Sequence, residues 1–207
     1  MLLVGITGSI GMGKSTTASM FKPHNFAVYN ADDTVHYIYE NDESIINKIE
    51  ESFPGAKENG KVNRMVLREE LKKNPSRFRE LESIIHPVTR QYQITYIKKM
   101  IENGHSGCIL DIPLLFETGG DKYVDVTVVV TASKETQQRR VVKERSVPID
   151  IFEKIISQQM PDEEKCKRAD YVVSTNLSID QTQKDVDQII SKISLLEPKA
   201  WDNYYSK

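Results

Sequence analysis

The stretch GITGSIGMGKST, residues 5–16, follows a short apolar run and determines how the rest of the chain is interpreted. Leu2–Thr7 has the length and composition of a strand, and the glycines that follow break this strand. A helix is predicted to open at about Lys14. Residues Gly8 to Ser15 fit the pattern GxxxxGK[ST]. A strand, a glycine-rich turn and a helix therefore follow one another in the order of a phosphate-binding loop.

The loop pattern has a direct physical interpretation, although a merely flexible loop is the structural alternative. Glycines let backbone N–H groups turn inward around phosphate oxygens, and the positive end of the following helix points at the same anion. Lys14 can reach the β- and γ-phosphates, and the Ser15 hydroxyl can ligate Mg²⁺. The residues predicted to bind the nucleotide are Gly8, Ser9, Ile10, Gly11, Met12, Gly13, Lys14, Ser15 and Thr16. We therefore expect the chain to bind a nucleoside triphosphate.

Four further short runs of residues are predicted to form strands. They are residues 26–29, 108–111, 124–130 and 171–173. Helical stretches separate them, which is typical of a parallel sheet with helices on both faces, so the predicted fold class is α/β with a five-stranded parallel sheet. Residues 64–103 contain no convincing strand and show helical spacing, with Pro87 expected to bend or interrupt the helix. Residues 54–63 are predicted to form a surface loop.

Composition limits the function classes. The chain has 207 residues, 39% hydrophobic and 28% charged, which suits a soluble domain with its own core. A formal net charge of -2 gives no global field for nucleic acid or an anionic membrane. Cys108 and Cys166 form no metal-ligand pattern and read as free thiols in a reducing compartment. With no apolar segment long enough to span a bilayer, we expect a cytoplasmic protein, as a monomer or weak homo-oligomer.

Acidic residues follow the predicted second and third strands. Asp32 and Asp33 come just after the second strand, and Asp111 ends the third. Because the carboxyl ends of parallel strands face the ligand crevice, Asp32 or Asp33 can meet a substrate hydroxyl, and Asp111 can hold Mg²⁺ through water. The alternatives are structural: a helix N-cap for Asp32 or Asp33, and a turn residue for Asp111. Spacing alone does not decide between them.

A basic segment and a lone histidine add further candidates. ETQQRRVVKER, residues 135–145, can close one helix face on a triphosphate and stabilise the transferring charge. The alternative is a solvated basic face. His86 precedes Pro87, and considered by itself it is better suited to a structural hydrogen bond than to catalysis.

Taken together, these segments resemble the dephospho-coenzyme A kinase family. The phosphate-binding loop is similar to the family's loop, and YNADDTVH resembles its strand-end segment, in which an Asp-Ala-Asp triplet is usual. IIHPVTR and LDIPLLFETG are similar to its His-Pro and Pro-Leu-Leu-Phe-Glu segments, and ETQQRR and RADYVVSTN to its lid and last-strand motifs. The motifs occur in the family's order from residue 4 to about residue 176. The loop alone is generic, whereas the His-Pro and Pro-Leu-Leu-Phe-Glu segments together are specific.

The resemblance implies a three-layer P-loop kinase fold with a helical substrate-binding insert and a lid. The nucleotide-binding core would comprise residues 1–31, 105–132 and 169–207, the CoA-binding insert residues 32–104, and the lid residues 133–168, all boundaries being approximate. The implied reaction transfers the γ-phosphoryl group of ATP to the ribose 3′-hydroxyl of dephospho-CoA, giving CoA and ADP. The implied cofactors and substrates are therefore ATP with Mg²⁺ and dephospho-CoA.

Residue roles carry over from the resemblance position by position. Asp32 matches the catalytic base, with Asp33 ranked second, and Arg140 matches the lid arginine. The implied acceptor-binding residues are His86, Arg90, Leu115, Phe116 and Glu117, and Asn176 matches the region near adenine. The chain departs from the family at Asn30, where an acid is usual and only neutral hydrogen bonding is available. It also departs at Glu144, where a second lid cation is expected and Arg145 is adjacent.

Two alternatives define what would contradict this interpretation. Another P-loop small-molecule kinase, such as a nucleoside monophosphate kinase, shares the loop and lid but lacks the His-Pro and Pro-Leu-Leu-Phe-Glu pair. A GTPase-type switch would need an Asn-Lys-x-Asp segment to read guanine, and this tetrapeptide does not occur in the sequence.

Overall fold

The protein is described by a computed structural model that covers residues 1–206. The chain divides into two compact units. Unit 1 comprises residues 1–29 and the described residues from 99 onward, and unit 2 comprises residues 30–98. The predicted lid, residues 133–168, lies within unit 1. The finer division into core, insert and lid stays a prediction.

Unit 1 is built on a five-stranded sheet. Its strands are β1 (Leu2–Thr7), β2 (Phe26–Asn30), β5 (Gly107–Asp111), β6 (Val126–Thr131) and β7 (Tyr171–Ser174). The strand order is β2-β5-β1-β6-β7, and β1 pairs in parallel with both β5 and β6. All five predicted strands are confirmed. They form because β-branched and apolar residues dominate these short runs, and the central strands are buried on both faces.

Helices of unit 1 surround this sheet. They are α1 (Lys14–Ser19), α6 (Lys134–Gln138), a π-helix (Arg139–Glu144), α7 (Ile149–Ser157), α8 (Asp162–Arg168), α9 (Ile179–Ile193) and α10 (Ala200–Tyr204). On α9, Val186, Ile189, Ile190 and Ile193 recur at i, i+3, i+4 and i+7 and are buried. They join alternate residues of β1 and β6 in one hydrophobic core. Each such buried side chain stabilises the fold by about 1.5–3 kcal/mol.

Unit 2 is mainly helical. Its helices are α2 (Ala31–Asn41), α3 (Glu43–Ser52), α4 (Arg64–Lys73) and α5 (Phe78–Glu102), which continues into unit 1. Isoleucines of α2 and α3 pack with leucines of α4 and α5 around Phe53 in a second, separate core. Pro87 lies inside α5 without interrupting it, so of the two expected effects, a bend or an interruption, the interruption is not observed.

The predicted surface loop at residues 54–63 contains a short hairpin. Its strands are β3 (Lys57–Glu58) and β4 (Lys61–Val62), paired antiparallel. Asn59 and Gly60 connect them, both with positive φ, 51° and 78°. A two-residue Asn-Gly connection with this backbone is the favoured hairpin turn. The sequence therefore carried the signal, but the strands beside it were too short and polar to be recognised.

The two cysteines lie in different environments within unit 1, and neither forms a disulfide. Cys108 in β5 is buried, and burial raises the pKa of its thiol to about 12. Cys166 in α8 is half-buried, and burial together with the Asp162 carboxylate raises its thiol pKa as well. Over residues 1–206, no helix combines the length and the apolarity that crossing a membrane requires.

Candidate active site

The phosphate-binding loop connects β1 to α1. Gly13 is the residue before α1 and has φ 90°, and Gly11 has φ 80°, both in the region that favours glycine. A Cβ atom on Gly11 would lie 2.5 Å from Cγ2 of Val141. Glycine is thus required at Gly11 both by the backbone and by the packing of the π-helix against it.

Two glutamines hold the peptide groups of Ile10 at the tip of this loop. The Ile10 N–H donates to Oε1 of Gln159 at 3.3 Å, and Nε2 of Gln137 donates to the Ile10 carbonyl oxygen at 2.8 Å. Gln137 belongs to α6 and is buried, and Gln159 follows α7. The loop therefore has a defined shape through contacts with the segment that the sequence predicted to be a lid. The sequence did not reveal either glutamine.

Asp111 meets the first residues of α1. Its carboxylate forms an ion pair with the Lys14 ammonium and accepts a hydrogen bond from the Ser15 hydroxyl at 3.3 Å. Asp111 is the last residue of β5 and is 1% exposed, so its charge is buried and compensated by Lys14. Since β1 and β5 pair in register up to Ile6 and Asp111, the sheet itself places this carboxylate beside the loop.

The donor set around Asp111 suits a hard cation. Ser15 and Asp111 offer adjacent hydroxyl and carboxylate oxygens, the ligands that Mg²⁺ prefers. No group of three or more His, Cys, Asp or Glu side chains within residues 1–206 is arranged to hold a metal. One or two protein oxygens fit an ion that keeps several waters and is otherwise held by substrate phosphates.

Arg140 lies in the π-helix and points toward the loop. Its Nη1 donates to the Gly11 carbonyl oxygen at 3.3 Å and to the Thr175 hydroxyl at 2.8 Å, and its Nη2 donates to the Thr175 carbonyl oxygen at 2.8 Å. The Thr175 hydroxyl in turn donates to the carbonyl oxygen of Met12 at 2.8 Å. The guanidinium is therefore fixed between the phosphate-binding loop and the chain that follows β7. A purely solvated role for this cation is ruled out by these contacts.

A cavity of about 240 Å³ opens beside Arg140. Its lining residues are Gly11, Gly13, Thr16, Thr17, Met20, Arg140, Glu144, Arg145, Thr175, Leu177, Ile179 and Thr182. Leu177 and Ile179 are 68% and 64% exposed, so the cavity has an apolar wall that is open to a ligand. The cavity thus combines loop glycines, two arginines and an apolar wall.

The π-helix brings further charged side chains to the cavity beside Arg140. Its hydrogen bonds span five residues instead of four, so residue i+5 comes to lie near residue i. Arg145 is five residues after Arg140, and both line the same cavity. Glu144, four residues after Arg140, lines the same cavity and forms an ion pair of 3.4 Å with the exposed Arg139.

Asn176 has a structural partner. Its Oδ1 accepts a hydrogen bond from the Ser133 N–H at 2.7 Å, next to the start of α6. Its neighbours Thr175 and Leu177 line the cavity, whereas Asn176 is not among the lining residues. Its expected position near adenine stays a prediction.

Leu115 and Phe116 are buried in unit 1, and Glu117 is charged and partly buried. Oε1 of Glu117 lies 2.9 Å from the Lys165 ammonium and accepts the Met160 N–H at 2.9 Å. Burial by itself would raise the pKa of Glu117, but the contacts with Lys165 and Met160 outweigh it, so this pKa lies below its usual value. Glu117 therefore has a structural role as the partner of Lys165 in α8, and its expected role toward the acceptor stays a prediction.

In unit 2, Asn30 is the N-cap of α2. Its Oδ1 accepts the N–H groups of Asp32 at 2.9 Å and Asp33 at 3.1 Å. This explains the neutral residue at position 30, because an amide oxygen caps a helix as well as a carboxylate does. The alternative in which Asp32 or Asp33 caps the helix is wrong. Both lie in the first turn of α2, where the helix dipole favours a negative charge.

Asp32 and Asp33 differ in what they face within unit 2. Asp32 lines a cavity of about 290 Å³ with Val35, His36, Tyr39 and Arg64, and Asp33 does not belong to this lining. Arg64 and His36 were not predicted as site residues. They lie 28 positions apart in the sequence, so no local spacing could have revealed their contact.

His86 and Arg90 are one helical turn apart on α5, on the same face of the helix. The His86 side chain is exposed, and its carbonyl oxygen accepts a hydrogen bond from the Thr89 hydroxyl. Arg90 is half-buried, and its Nη1 donates to Gln93 at 3.2 Å. Their expected role in acceptor binding stays a prediction.

The fold and the loop together define a P-loop kinase. Shikimate kinase from Acinetobacter baumannii shares the fold at a TM-score of 0.53 and 16% identity, covering 93% of this chain and 94% of that one. TT1252 from Thermus thermophilus has a TM-score of 0.81 and 28% identity, over 95% of this chain and 98% of that one. The predicted fold class is confirmed.

The particular family follows from sequence comparison. The dephospho-CoA kinase (CoaE) family model matches residues 2–181. A dephospho-CoA kinase from Rhodopseudomonas palustris is 43% identical over 190 residues, 92% of this chain and 94% of its own length. One from Agrobacterium fabrum is 39% identical over 193 residues, 93% of this chain and 98% of its own length. The chain belongs to the dephospho-CoA kinase family.

This membership confirms the function expected from the sequence. The protein is an enzyme of CoA biosynthesis that transfers the γ-phosphoryl group of ATP to the 3′-hydroxyl of dephospho-CoA. The alternative of a nucleoside monophosphate kinase is not favoured.

Proposed function

We propose that the residues of unit 1 bind ATP and stabilise the transferring phosphoryl group, and that Asp32 of unit 2 activates the acceptor. The observation that carries this proposal is the meeting of Lys14, Ser15 and Asp111 at the start of α1. These groups supply a cation, a hydroxyl and a carboxylate beside a loop shaped for phosphate. Such a set serves phosphoryl transfer, in which positioning and charge stabilisation supply most of the catalysis.

On the donor side, the backbone N–H groups of residues 8–16 bind the phosphates. Lys14 exchanges Asp111 for the β- and γ-phosphate oxygens when ATP enters the loop. Arg140 contacts the γ-phosphoryl group as charge builds up on its oxygens, and its forked guanidinium can bind two of them. The nucleoside occupies the cavity beside Arg140, where Leu177 and Ile179 offer an apolar surface to the base.

On the acceptor side, Asp32 orients the 3′-hydroxyl and takes its proton. The 3′-oxygen attacks the γ-phosphorus, the bond from this phosphorus to the β,γ-bridging oxygen breaks, and ADP leaves with that electron pair. Because the transition state is loose, the proton moves late, and orientation of the hydroxyl is the larger part of the effect of Asp32. His86, Arg90, Leu115, Phe116 and Glu117 would bind the remainder of dephospho-CoA.

We further propose that Mg²⁺ is the metal and that Ser15 and Asp111 would hold it, Ser15 directly and Asp111 through water. When bound, the ion neutralises charge on the β- and γ-phosphate oxygens. Residues 133–168 would act as a lid, and Asn176 would lie near adenine. The protein would work in the cytoplasm as a monomer or weak homo-oligomer.

A coupled assay of ADP release tests the proposal. ADP should form with ATP, dephospho-CoA and Mg²⁺ together, with CoA as the product, and chelation of Mg²⁺ by EDTA should abolish the reaction reversibly. A panel of nucleoside monophosphates and simple sugars serves as the control acceptors. Faster turnover of any of these than of dephospho-CoA would contradict the proposed acceptor.

A further inference from the structure

One of the side chains that line the cavity of about 290 Å³ in unit 2 is a cation, Arg64, which has no role in the reaction described above. Asp32, Val35, His36 and Tyr39 lie on one face of α2 at helical spacing, and Arg64 at the start of α4 completes the lining. The face that carries the proposed base is therefore next to a guanidinium of the same unit.

The hydrogen bonding of Arg64 leaves most of its donors available. Its Nη1 lies 3.0 Å from Nδ1 of His36, and since a guanidinium can only donate, Nδ1 is the acceptor. The neutral imidazole then carries its proton on Nε2, which is a second donor. Within unit 2, no carboxylate of a described residue lies at ion-pair distance from Arg64. Arg77, by contrast, is bound to Glu70 and Glu80 at 3.2 Å and 2.9 Å.

The charge of Arg64 also acts on the cavity wall. Burial raises the pKa of the Tyr39 phenol, and the positive charge of Arg64 lowers it in part. The guanidinium is thus close enough to Tyr39 to influence an anion at this position.

We propose that Arg64, with His36 holding its guanidinium, binds the 5′-diphosphate of the acceptor. This inference rests on the proposed role of Asp32 as the base. In dephospho-CoA the reacting 3′-hydroxyl and the 5′-diphosphate belong to the same ribose, so a cavity that holds the hydroxyl needs a cation near it for the diphosphate. The diphosphate carries the negative charges of this acceptor at neutral pH. A planar guanidinium can bind two of its oxygens at once, which also offsets repulsion from Asp32.

Steady-state kinetics of three variants tests this assignment. Arg64→Gln should raise KM for dephospho-CoA by about 10- to 100-fold, the usual effect of losing a hydrogen bond to a charged group. Its KM for ATP and its kcat should change by less than about threefold. Arg64→Lys should recover part of the loss, because it keeps the charge but not the fork. Arg79→Gln removes the same charge from an exposed position on α5 and should match the wild type.

Calorimetric titration of the ATP-free protein with dephospho-CoA gives the same comparison at equilibrium, and a thermal midpoint shows that each variant is folded. An unchanged KM for dephospho-CoA in Arg64→Gln, or an equal rise in Arg79→Gln, overturns the assignment. If Arg64→Gln does not fold, Arg64→Lys decides: an unchanged KM and affinity would overturn it. Absence of dephospho-CoA turnover in the wild type would instead overturn the proposed function.

Discussion

The ammonium of Lys165 lies 2.9 Å from Oε1 of Glu117, and Lys165 is fully buried whereas Glu117 keeps 18% of its side chain exposed. No partner of this ammonium other than Glu117 is found within residues 1–206, so this ion pair alone compensates its charge. An unpaired buried charge is strongly destabilising. The two partners are therefore not equivalent: loss of Glu117 leaves a fully buried charge, and loss of Lys165 leaves one that reaches solvent.

We expect Glu117→Gln to destabilise the protein by about 3 kcal/mol, at the lower end for breaking a buried pair because glutamine still accepts a hydrogen bond. Lys165→Met should cost less, and the double variant should be more stable than Glu117→Gln alone, because it buries no unpaired charge. Urea unfolding of the wild type, the two single variants and the double variant measures these differences in the free energy of unfolding. Additive losses in the double variant would show that the pair is not coupled.

The same pair predicts a pH dependence. Because the pKa of Glu117 is lower in the folded protein, its contribution is complete above the ordinary glutamate pKa of about 4.3. That contribution is lost as the pH falls through the lowered pKa. The difference in unfolding free energy between the wild type and Glu117→Gln should therefore be smaller at pH 4 than at pH 7. A difference that grows on acidification would contradict the sign of this shift.

Lys14→Ala should lower the rate by at least about 10²–10³, the effect of removing one preorganised donor. It should also destabilise the fold by about 3 kcal/mol or more, because the buried charge of Asp111 loses its cation. The double variant Lys14→Ala/Asp111→Asn should recover stability but not activity. Single-turnover transfer at saturating ATP and urea unfolding separate the two effects. A transfer rate of Lys14→Ala within tenfold of the wild-type rate would show that Lys14 does not stabilise the transferring group.

Asp32→Asn should keep ATP binding and lower kcat by about 10²–10⁴, the range for loss of a general base. Asp33→Asn is the matched control. Both residues lie in the first turn of α2 and both N–H groups bond to Asn30, so the loss of helix-dipole stabilisation is the same. Only Asp32 lines the cavity in unit 2. Steady-state kcat with a thermal midpoint for each variant tests this, and greater damage in Asp33→Asn would reverse the assignment.

Arg140→Ala should lower kcat by about 10²–10³ with a smaller change in KM for ATP, because its main interaction is made in the transition state. Arg145→Ala should be milder, and exposed Arg139, paired with Glu144, provides the control variant Arg139→Ala. Kinetics of the single variants and the Arg140→Ala/Arg145→Ala double variant decide the ranking. Equal and strongly non-additive losses would mean that both arginines act as one unit.

The strands were predictable because their signal is local. Runs such as that of β6 are rich in β-branched residues, and the loop between β1 and α1 has a defined pattern. The π-helix was not predictable, because a change from i→i+4 to i→i+5 hydrogen bonds gives no distinct pattern of residue types in the sequence. Both Glu144 and Arg145 line the cavity with Arg140.

The polar contacts of the site were predictable only in part. Asp111 was recognised because it ends a strand, but its ion pair with Lys14 depends on the pairing of β1 with β5. Lys165 lies in the highly charged segment DEEKCKR, whose composition predicts an exposed residue. No residue nearby in the sequence indicates that Glu117 forms an ion pair with it. The role of Asn30 follows from the structure, in which it caps α2.

Because the two cysteines differ in burial, their thiols should be alkylated at different rates. The thiolate is the nucleophile in alkylation, so Cys108, with its pKa raised to about 12, reacts only when β5 becomes exposed through unfolding of the sheet. Cys166 is half-buried in α8, the helix that also carries Lys165. Iodoacetamide should therefore label Cys166 in its first kinetic phase, and Cys108 only in a second phase that follows unfolding of the sheet.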